Sequence, residues 1–232
     1  MSGDAGLERR SSDAGLERRS SDAGMERRTG DAGMDLRGAM EVLREQRVKG
    51  DVMVTSMGSA REWIAMGPLD PLDFIFVPSS MGQAPSLALG IALAQPERRV
   101  FVCNGDGSML MNLGALATIS AESPGNLVLI VVDNGVYEVT GAQPTPGSAL
   151  GRPDKRGVNF AEIARACGWK SVYRYRDLDD WQDAAADAIN SPGPVFVALE
   201  VAPIPGAVGP KSPGPTIDRA QKFREALRSP QK

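Results

Sequence analysis

The sequence predicts an α/β fold, a parallel sheet flanked by helices on both faces, behind a low-complexity N-terminal tail. Three observations point there. From Met34 onward, segments with helical apolar spacing alternate with short strand-like apolar segments, the pattern of a parallel α/β sheet. The run Asn126 to Asp133, NLVLIVVD, is apolar throughout its middle, as expected of a strand buried on both faces. Glycine- and serine-rich turns follow several strand-like segments, at the sheet edge where open α/β folds bind ligands.

The tail comes first. Asp4, Asp13, Asp22 and Asp31 each open a copy of D-A-G-[LM], a period of nine residues, and Arg9-Arg10, Arg18-Arg19 and Arg27-Arg28 recur at one phase. Nine residues make about two and a half helical turns, so successive copies face opposite sides and no apolar stripe forms. Each copy also carries a glycine, which costs about 1 kcal/mol in a helix interior. Residues 1–33 are therefore expected to be disordered or weakly helical, and residues 34–232 to form the domain. Met34 or Met40 could be the natural start.

Within the domain, Met34 to Gln46 has helical spacing and Asp51 to Ser56 reads as a strand. Arg61 to Met66 is a short helical piece and Phe74 to Val77 an apolar strand. Met81 to Ala94 reads as a helix with Pro85 in its first turn, where proline is tolerated. Arg99 to Asn104 is a strand, Ser108 to Ala121 a helix, and Asn126 to Asp133 the buried strand. A long Gly/Pro-rich loop then runs from about Gly135 to Gly157. Helix Asn159 to Cys167, strand Ser171 to Tyr175, helix Asp179 to Ile189 and strand Pro194 to Val201 complete the alternation. A Pro/Gly-rich stretch leads to a closing helix, Thr216 to Leu227.

Composition narrows the function. The 232 residues suit one α/β domain plus a tail. With 26 basic and 29 acidic residues the net charge is −3, which gives no electrostatic reason to expect nucleic acid. No apolar run is long enough to span a bilayer, and no charged-then-apolar leader opens the chain. Cys103 and Cys167 lie in apolar-patterned stretches and are expected to be buried free thiols. A cytoplasmic location is expected. The chain has no histidine, which excludes the usual catalytic triad or zinc site from this chain alone.

Three short motifs carry the chemistry. Ser79-Ser80-Met81-Gly82 stands at a strand-to-helix turn, Gly105-Asp106-Gly107-Ser108 between the strand VFVCN and a helix, and Asp133-Asn134-Gly135 at the end of the next strand. A helix and a return strand separate Asp106 from Asn134, so both side chains emerge at the carboxyl edges of neighbouring strands. A diphosphate calls for a hard divalent cation, and Mg²⁺ takes oxygen ligands in near-octahedral geometry, few of them from protein. Asp106 can supply a carboxylate, Asn134 an amide oxygen, and the following turn a carbonyl. Gly105 and Gly107 allow close backbone approach, and the helix N-terminus at Ser108 favours an anion.

The G-D-G-S stretch and the D-N-G end resemble the signature of enzymes that use thiamine diphosphate (ThDP). The stretches SSMGQAPSLALGIALAQPERRVFVCNGDGSMLMNLGALATI and NLVLIVVDNGVYEVTGAQPT are most similar to the sulfopyruvate decarboxylase beta subunits and phosphonopyruvate decarboxylases. The likeness runs from about Met53 to Val201. It implies a fold of the ThDP diphosphate-binding type. It implies Asp106, Asn134 and the Val136 carbonyl as Mg²⁺ ligands, and Gly105, Gly107, Ser108 and Tyr137 near the cofactor. It implies Met81 as the apolar wedge that bends ThDP, and the Ser79 carbonyl as the partner of its amino group. Relatives often carry glycine at the Ser79 position and histidine where Gln83 and Tyr137 stand.

The resemblance also implies a glutamate against the cofactor's pyrimidine ring, carried by a separate pyrimidine-binding domain for which this chain has no room. Glu41, Glu45 and Glu62 lie on helix-like stretches and are expected to be surface charges. The expected function is thus the ThDP- and Mg²⁺-binding subunit of a two-subunit 2-oxoacid decarboxylase. It would be inactive alone and completed by a pyrimidine-domain partner in a hetero-oligomer. A ThDP-dependent carboligase subunit and a non-catalytic ThDP-binding subunit are the alternatives. The family likeness suggests a 2-oxoacid with a second anionic group, and Arg152, Lys155 and Arg156 in the loop after Asn134 are the candidate cations for it.

Overall fold

The computed structural model describes residues 33–150 and 157–229. The repeat tail up to residue 32 and the candidate cations Arg152, Lys155 and Arg156 lie outside the described residues. Strands β1 (Val52–Thr55), β2 (Asp73–Ile75), β3 (Val100–Gly105), β4 (Leu127–Asp133), β7 (Ser171–Tyr175) and β8 (Val195–Glu200) form one sheet. Its order is β2-β1-β3-β4-β8-β7, and every neighbouring pair is parallel. Two short strands, β5 (Val136–Tyr137) and β6 (Gln143–Pro144), pair antiparallel apart from it.

Side chains alternate along each central strand, and the two sets build two cores. Val52, Val54, Val100, Val102, Leu127, Leu129 and Val131 face the core under α3 (Ala84–Ala94), α5 (Gly114–Glu122) and α6 (Phe160–Ala166). Met53, Phe101, Cys103, Val128, Ile130 and Val132 face the core under α1 (Leu36–Glu45), α2 (Met57–Ala65) and α7 (Leu178–Ile189). All seven residues of β4 are buried, which explains its unbroken apolar run. Burying such aliphatic side chains contributes roughly 1.5–3 kcal/mol each. Trp181, fully buried on α7, satisfies its indole by donating to the Ala39 carbonyl at 3.1 Å. Short α4 (Asp106–Leu110) follows β3, and α8 (Thr216–Arg228) covers the β2 edge through Phe223, which packs on Phe74. Among the described residues no helix is long and apolar enough to cross a membrane.

Local signals set the helix starts. Asp35 accepts from the Gly38 N–H, Asn159 from the Glu162 N–H, and Asp177 from the Asp179 and Asp180 N–H groups, each capping orphan donors of a first turn.

The amino edge of the sheet is laced by polar side chains. Arg99 donates to Asp51 Oδ2 at 2.8 Å, to Asn190 Oδ1 at 2.8 Å and to the Gln46 carbonyl at 2.9 Å. Arg98 reaches the Gly50 carbonyl at 3.1 Å and the Ser229 carbonyl at 2.6 Å. Nδ2 of Asn126 lies within hydrogen-bond distance of the Ala92, Gln95 and Arg98 carbonyls, at 3.2, 3.0 and 2.7 Å.

Four expectations change. The helix expected over Ser108 to Ala121 is broken at Met111 to Leu113 into α4 and α5. Asn112 and Gly114 favour helix weakly, and the Asn112 amide is turned out to bond the Gly82 carbonyl at 3.0 Å. Met81 precedes α3 in a turn with Gly82 at φ +85°. The loop after Asn134 holds the β5/β6 hairpin, joined by a 3₁₀ turn over Glu138–Thr140. Glu62 is buried, its side chain 9 % exposed between Arg37 and Arg61, whereas Glu41 and Glu45 are exposed as expected. Cys103 is a buried free thiol, and Cys167 is free and half-buried.

Candidate functional site

The chain leaves β1 toward the face of α2 and leaves β3 toward the opposite face, through α4 and α5. The carboxyl ends of β1 and β3 therefore flank a topological switch point, the crevice in which open α/β sheets bind ligands. A cavity of about 140 Å³ opens there. Met81, Gly105, Gly107, Ser108, Asn134, Val136 and Tyr137 all line it. Seven residues singled out from sequence are thus gathered at one place. Ser79 is half-buried in the turn after β2, outside the lining, and Asp106, between the lining residues Gly105 and Gly107, is 2 % exposed.

The register of β3 and β4 places Gly105 beside Val132, so the turns carrying Asp106 and Asn134 emerge next to each other. Oδ2 of Asp106 accepts from the Thr145 hydroxyl at 3.1 Å, and the Thr145 N–H donates to the Gly135 carbonyl at 2.9 Å. Thr145 is itself 1 % exposed. Oδ1 of Asn134 accepts from the Val136 N–H at 3.0 Å, a side-chain-closed turn of the kind asparagine favours. Gly135 has φ +72°, and a β-carbon on it would stand 2.6 Å from Ser148 Oγ.

The two glycines of the G-D-G motif differ. A β-carbon on Gly105 meets nothing within 4 Å, so open space lies over it. A β-carbon on Gly107 would lie 2.4 Å from Cε1 of Tyr137, so the tyrosine ring fills the gap that glycine leaves. Ser108 lines the cavity and its side chain is bonded within the chain. Its hydroxyl donates to Asn104 Oδ1 at 2.7 Å and accepts from the Gly82 N–H at 2.8 Å.

Several lining residues carried no sequence signal. Ser56, Met57 and Gly58 follow β1 and form the wall opposite the G-D-G turn. Met57 has φ +50°, a left-handed conformation that a side-chain-bearing residue holds only when its surroundings require it. Glu138 also lines the cavity; it accepts from Arg61 Nη1 at 3.2 Å and from the Ile204 N–H at 3.4 Å. Arg61 continues to Glu62 at 2.9 Å, and Glu62 to Arg37 at 2.7 Å. This chain of charges ties the 3₁₀ turn to α2 and α1. Behind the site, burial pushes the Cys103 thiol up to about 12, which makes it unreactive.

Among the described residues no three His, Cys, Asp or Glu side chains converge on one point. What the residues fit is an oxygen set that a bound anion completes: the Asp106 carboxylate, the Asn134 amide oxygen and carbonyls of the turn after it, beside the open space at Gly105. Such a set suits a hard cation such as Mg²⁺. The first-turn N–H groups of α4 add positive potential on the same side. Met81, 39 % exposed, offers an apolar surface across the cleft.

Comparison with known proteins identifies the family. Residues 55–199 match the family described as thiamine pyrophosphate enzyme, C-terminal TPP binding domain. The chain is 37 % identical over 195 residues to a phosphonopyruvate decarboxylase of Streptomyces viridochromogenes, covering 83 % of this chain and 46 % of that protein. It is 42 % identical over 124 residues to a sulfopyruvate decarboxylase subunit beta of Methanothermobacter thermautotrophicus, covering 53 % of this chain and 60 % of that protein. It thus spans about half the length of these relatives. In fold it superposes with a TM-score of 0.62 on a thiamine diphosphate-dependent 4-hydroxybenzoylformate decarboxylase of Rhodococcus jostii, at 21 % identity over 78 % of this chain and 35 % of that chain.

Proposed function

Because the chain belongs to the thiamine pyrophosphate enzyme family, through its C-terminal TPP binding domain, we propose that it is the ThDP- and Mg²⁺-binding part of a 2-oxoacid decarboxylase completed by a separate pyrimidine-domain subunit. The observation that carries the reading is the gathering of Met81, the G-D-G turn and the Asn134 turn around one cavity at the switch point. Asp106, Asn134 and the Val136 carbonyl would hold the metal, and the backbone around Gly105 the diphosphate. Met81 would support the bent cofactor, with the Ser79 carbonyl oriented toward its amino group. ThDP supplies the electron sink that makes loss of CO₂ from a 2-oxoacid possible; the protein binds, orients and excludes water.

Two observations support a site completed from outside this chain. The cavity, about 140 Å³, is well below the roughly 300–1,000 Å³ of a pocket that encloses a cofactor-sized ligand. Six of the eight large apolar residues exposed among the described residues, Met81, Met111, Val139, Leu150, Val208 and Ile217, belong to segments that follow the carboxyl ends of the strands, a bias that favours a partner at this edge. The substrate class follows the relatives named for phosphonopyruvate and sulfopyruvate. Arg152, Lys155 and Arg156 are assigned to the second anionic group on the sequence alone.

The experiment is to measure ThDP and Mg²⁺ binding by calorimetry on the chain assembled with a pyrimidine-domain subunit, then to assay sulfopyruvate and phosphonopyruvate with and without that subunit. Cofactor-dependent release of CO₂ only from the pair is the expected result. Turnover by the pure chain would refute the two-subunit reading, and absence of ThDP binding to the assembled pair would refute the site.

A further inference from the structure

The turn that carries Met81 is closed by one backbone bond of its own, from the Gln83 N–H to the Ser80 carbonyl at 3.1 Å, and is anchored from outside as well. Both polar backbone groups of Gly82 are taken by side chains of another part of the chain: its N–H by the Ser108 hydroxyl at 2.8 Å, its carbonyl by the Asn112 amide at 3.0 Å. We propose that Ser108 and Asn112 are positioning residues that fix where Met81 stands in the cleft, an inference that rests on the reading of Met81 as the support for the bent cofactor.

The hydroxyl of Ser108 is oriented. Its single proton goes to Asn104 Oδ1 at 2.7 Å, which leaves a lone pair for the Gly82 N–H. Asn104 is wholly buried in β3, with its Nδ2 toward the Met109 sulfur at 3.8 Å. A line of contacts therefore runs from the buried centre of the sheet, through α4, to the residue after Met81. Asn112 acts from the opposite side. It stands in the break between α4 and α5, and that break frees its amide for Gly82. The fit is tight: a β-carbon on Gly82 would lie 3.0 Å from Asn112 Cβ and 3.4 Å from both Met111 Cβ and the Ser108 carbonyl. With φ at +85° the turn also needs glycine there. Met81 is the adjacent residue, and it is exposed into the cavity. A residue so exposed gets little orientation from packing, so its place is set by the backbone beside it.

The test uses the full chain assembled with a pyrimidine-domain subunit, with ThDP and Mg²⁺ as the probe. The variants are Met81→Ala, Ser108→Ala, the isosteric Asn112→Asp, and each of the last two combined with Met81→Ala. ThDP affinity is measured by calorimetry and Gly82 amide exchange by mass spectrometry, on proteins whose melting shows them folded. Ser108→Ala and Asn112→Asp are each expected to weaken ThDP about two- to tenfold, the effect of one lost hydrogen bond, and to speed exchange at Gly82. Added to Met81→Ala, either should weaken ThDP less than twofold further, because residues that act through one another are not additive. Full additivity, or unchanged affinity in the single variants while Met81→Ala is impaired, overturns the positioning role. Unchanged affinity in Met81→Ala itself, with Gly82 exchange still accelerated in Asn112→Asp, overturns the wedge reading instead and shows a clamp without that purpose.

Discussion

The ring of Tyr137 lies so close to Gly107 that a β-carbon on the glycine would stand 2.4 Å from its Cε1 and 2.7 Å from its Cδ1. The contact locks the β5 end of the Asn134 turn against the first turn of α4, and so couples the two motifs of the site. Gly107→Ala must displace the ring, an overpacking that costs about 1–3 kcal/mol. Thermal unfolding should show that loss, and Gly107→Ala combined with Tyr137→Ala should lose less than the sum of the two single changes. Additive losses would mean that the residues do not compete for one space.

The Thr145 hydroxyl and Asp106 form the second coupling. Asp106→Ala should abolish Mg²⁺-dependent retention of ThDP while the fold survives, and Asn134→Ala should weaken it. Thr145→Val keeps the shape and removes a hydrogen bond to a carboxylate, worth about 1.5–3 kcal/mol. It should raise the Mg²⁺ concentration needed for ThDP binding by roughly tenfold or more. Calorimetry at several Mg²⁺ concentrations measures both, and unchanged affinity in Asp106→Ala and Asn134→Ala together would sink the metal assignment.

For the substrate, Arg152→Ala or Arg156→Ala in the active assembly should raise KM for a sulfonated or phosphonated oxoacid more than for pyruvate. The difference should be about ten- to a hundredfold, the worth of one charge-assisted contact. Steady-state kinetics on both substrates decide it; an equal effect on the two would show that the loop does not read the second charge.

Burial raises the Cys103 thiol from 9.0 to about 12, because desolvation penalises the thiolate. The folded protein keeps this proton where the unfolded chain loses it. The stability linked to this proton is whole below pH 9.0 and declines as pH rises toward about 12. Denaturant titrations across that range should show a steeper fall for the native chain than for Cys103→Ala. Equal slopes would show that the thiol does not contribute.

The sequence was legible where one local rule decided the outcome. The unbroken apolar run of β4, the alternation of helix and strand, and the placing of Asp106 and Asn134 beside each other all follow from periodicity and from the order of the elements. It was illegible where distant partners decided. Glu62 sits on a short helical stretch and reads as a surface charge, yet it is buried and ion-paired with both Arg37, 25 residues earlier, and Arg61. The hydroxyl of Ser108 is engaged by the N–H of Gly82, 26 residues earlier, a partner that no local pattern announces. The break at Asn112 has the same origin, since a contact 30 residues away outweighs local helix preference. Met57 could not be found at all, because nothing in its neighbours' types announces a left-handed backbone at φ +50°.

The lacing of the amino edge by Arg98, Arg99 and Asn126 has an evolutionary corollary. The bonds that knit the strands at that end touch none of the residues around the cleft at the other, so the two ends are free to change at different rates. Substitutions in the laced half should lower the amount of folded protein in a cell and leave the selectivity of the survivors intact. Exchanges of the segments after β1, β2 and β4 between homologues should do the reverse. Segment grafting between homologues would test this separation of the two ends.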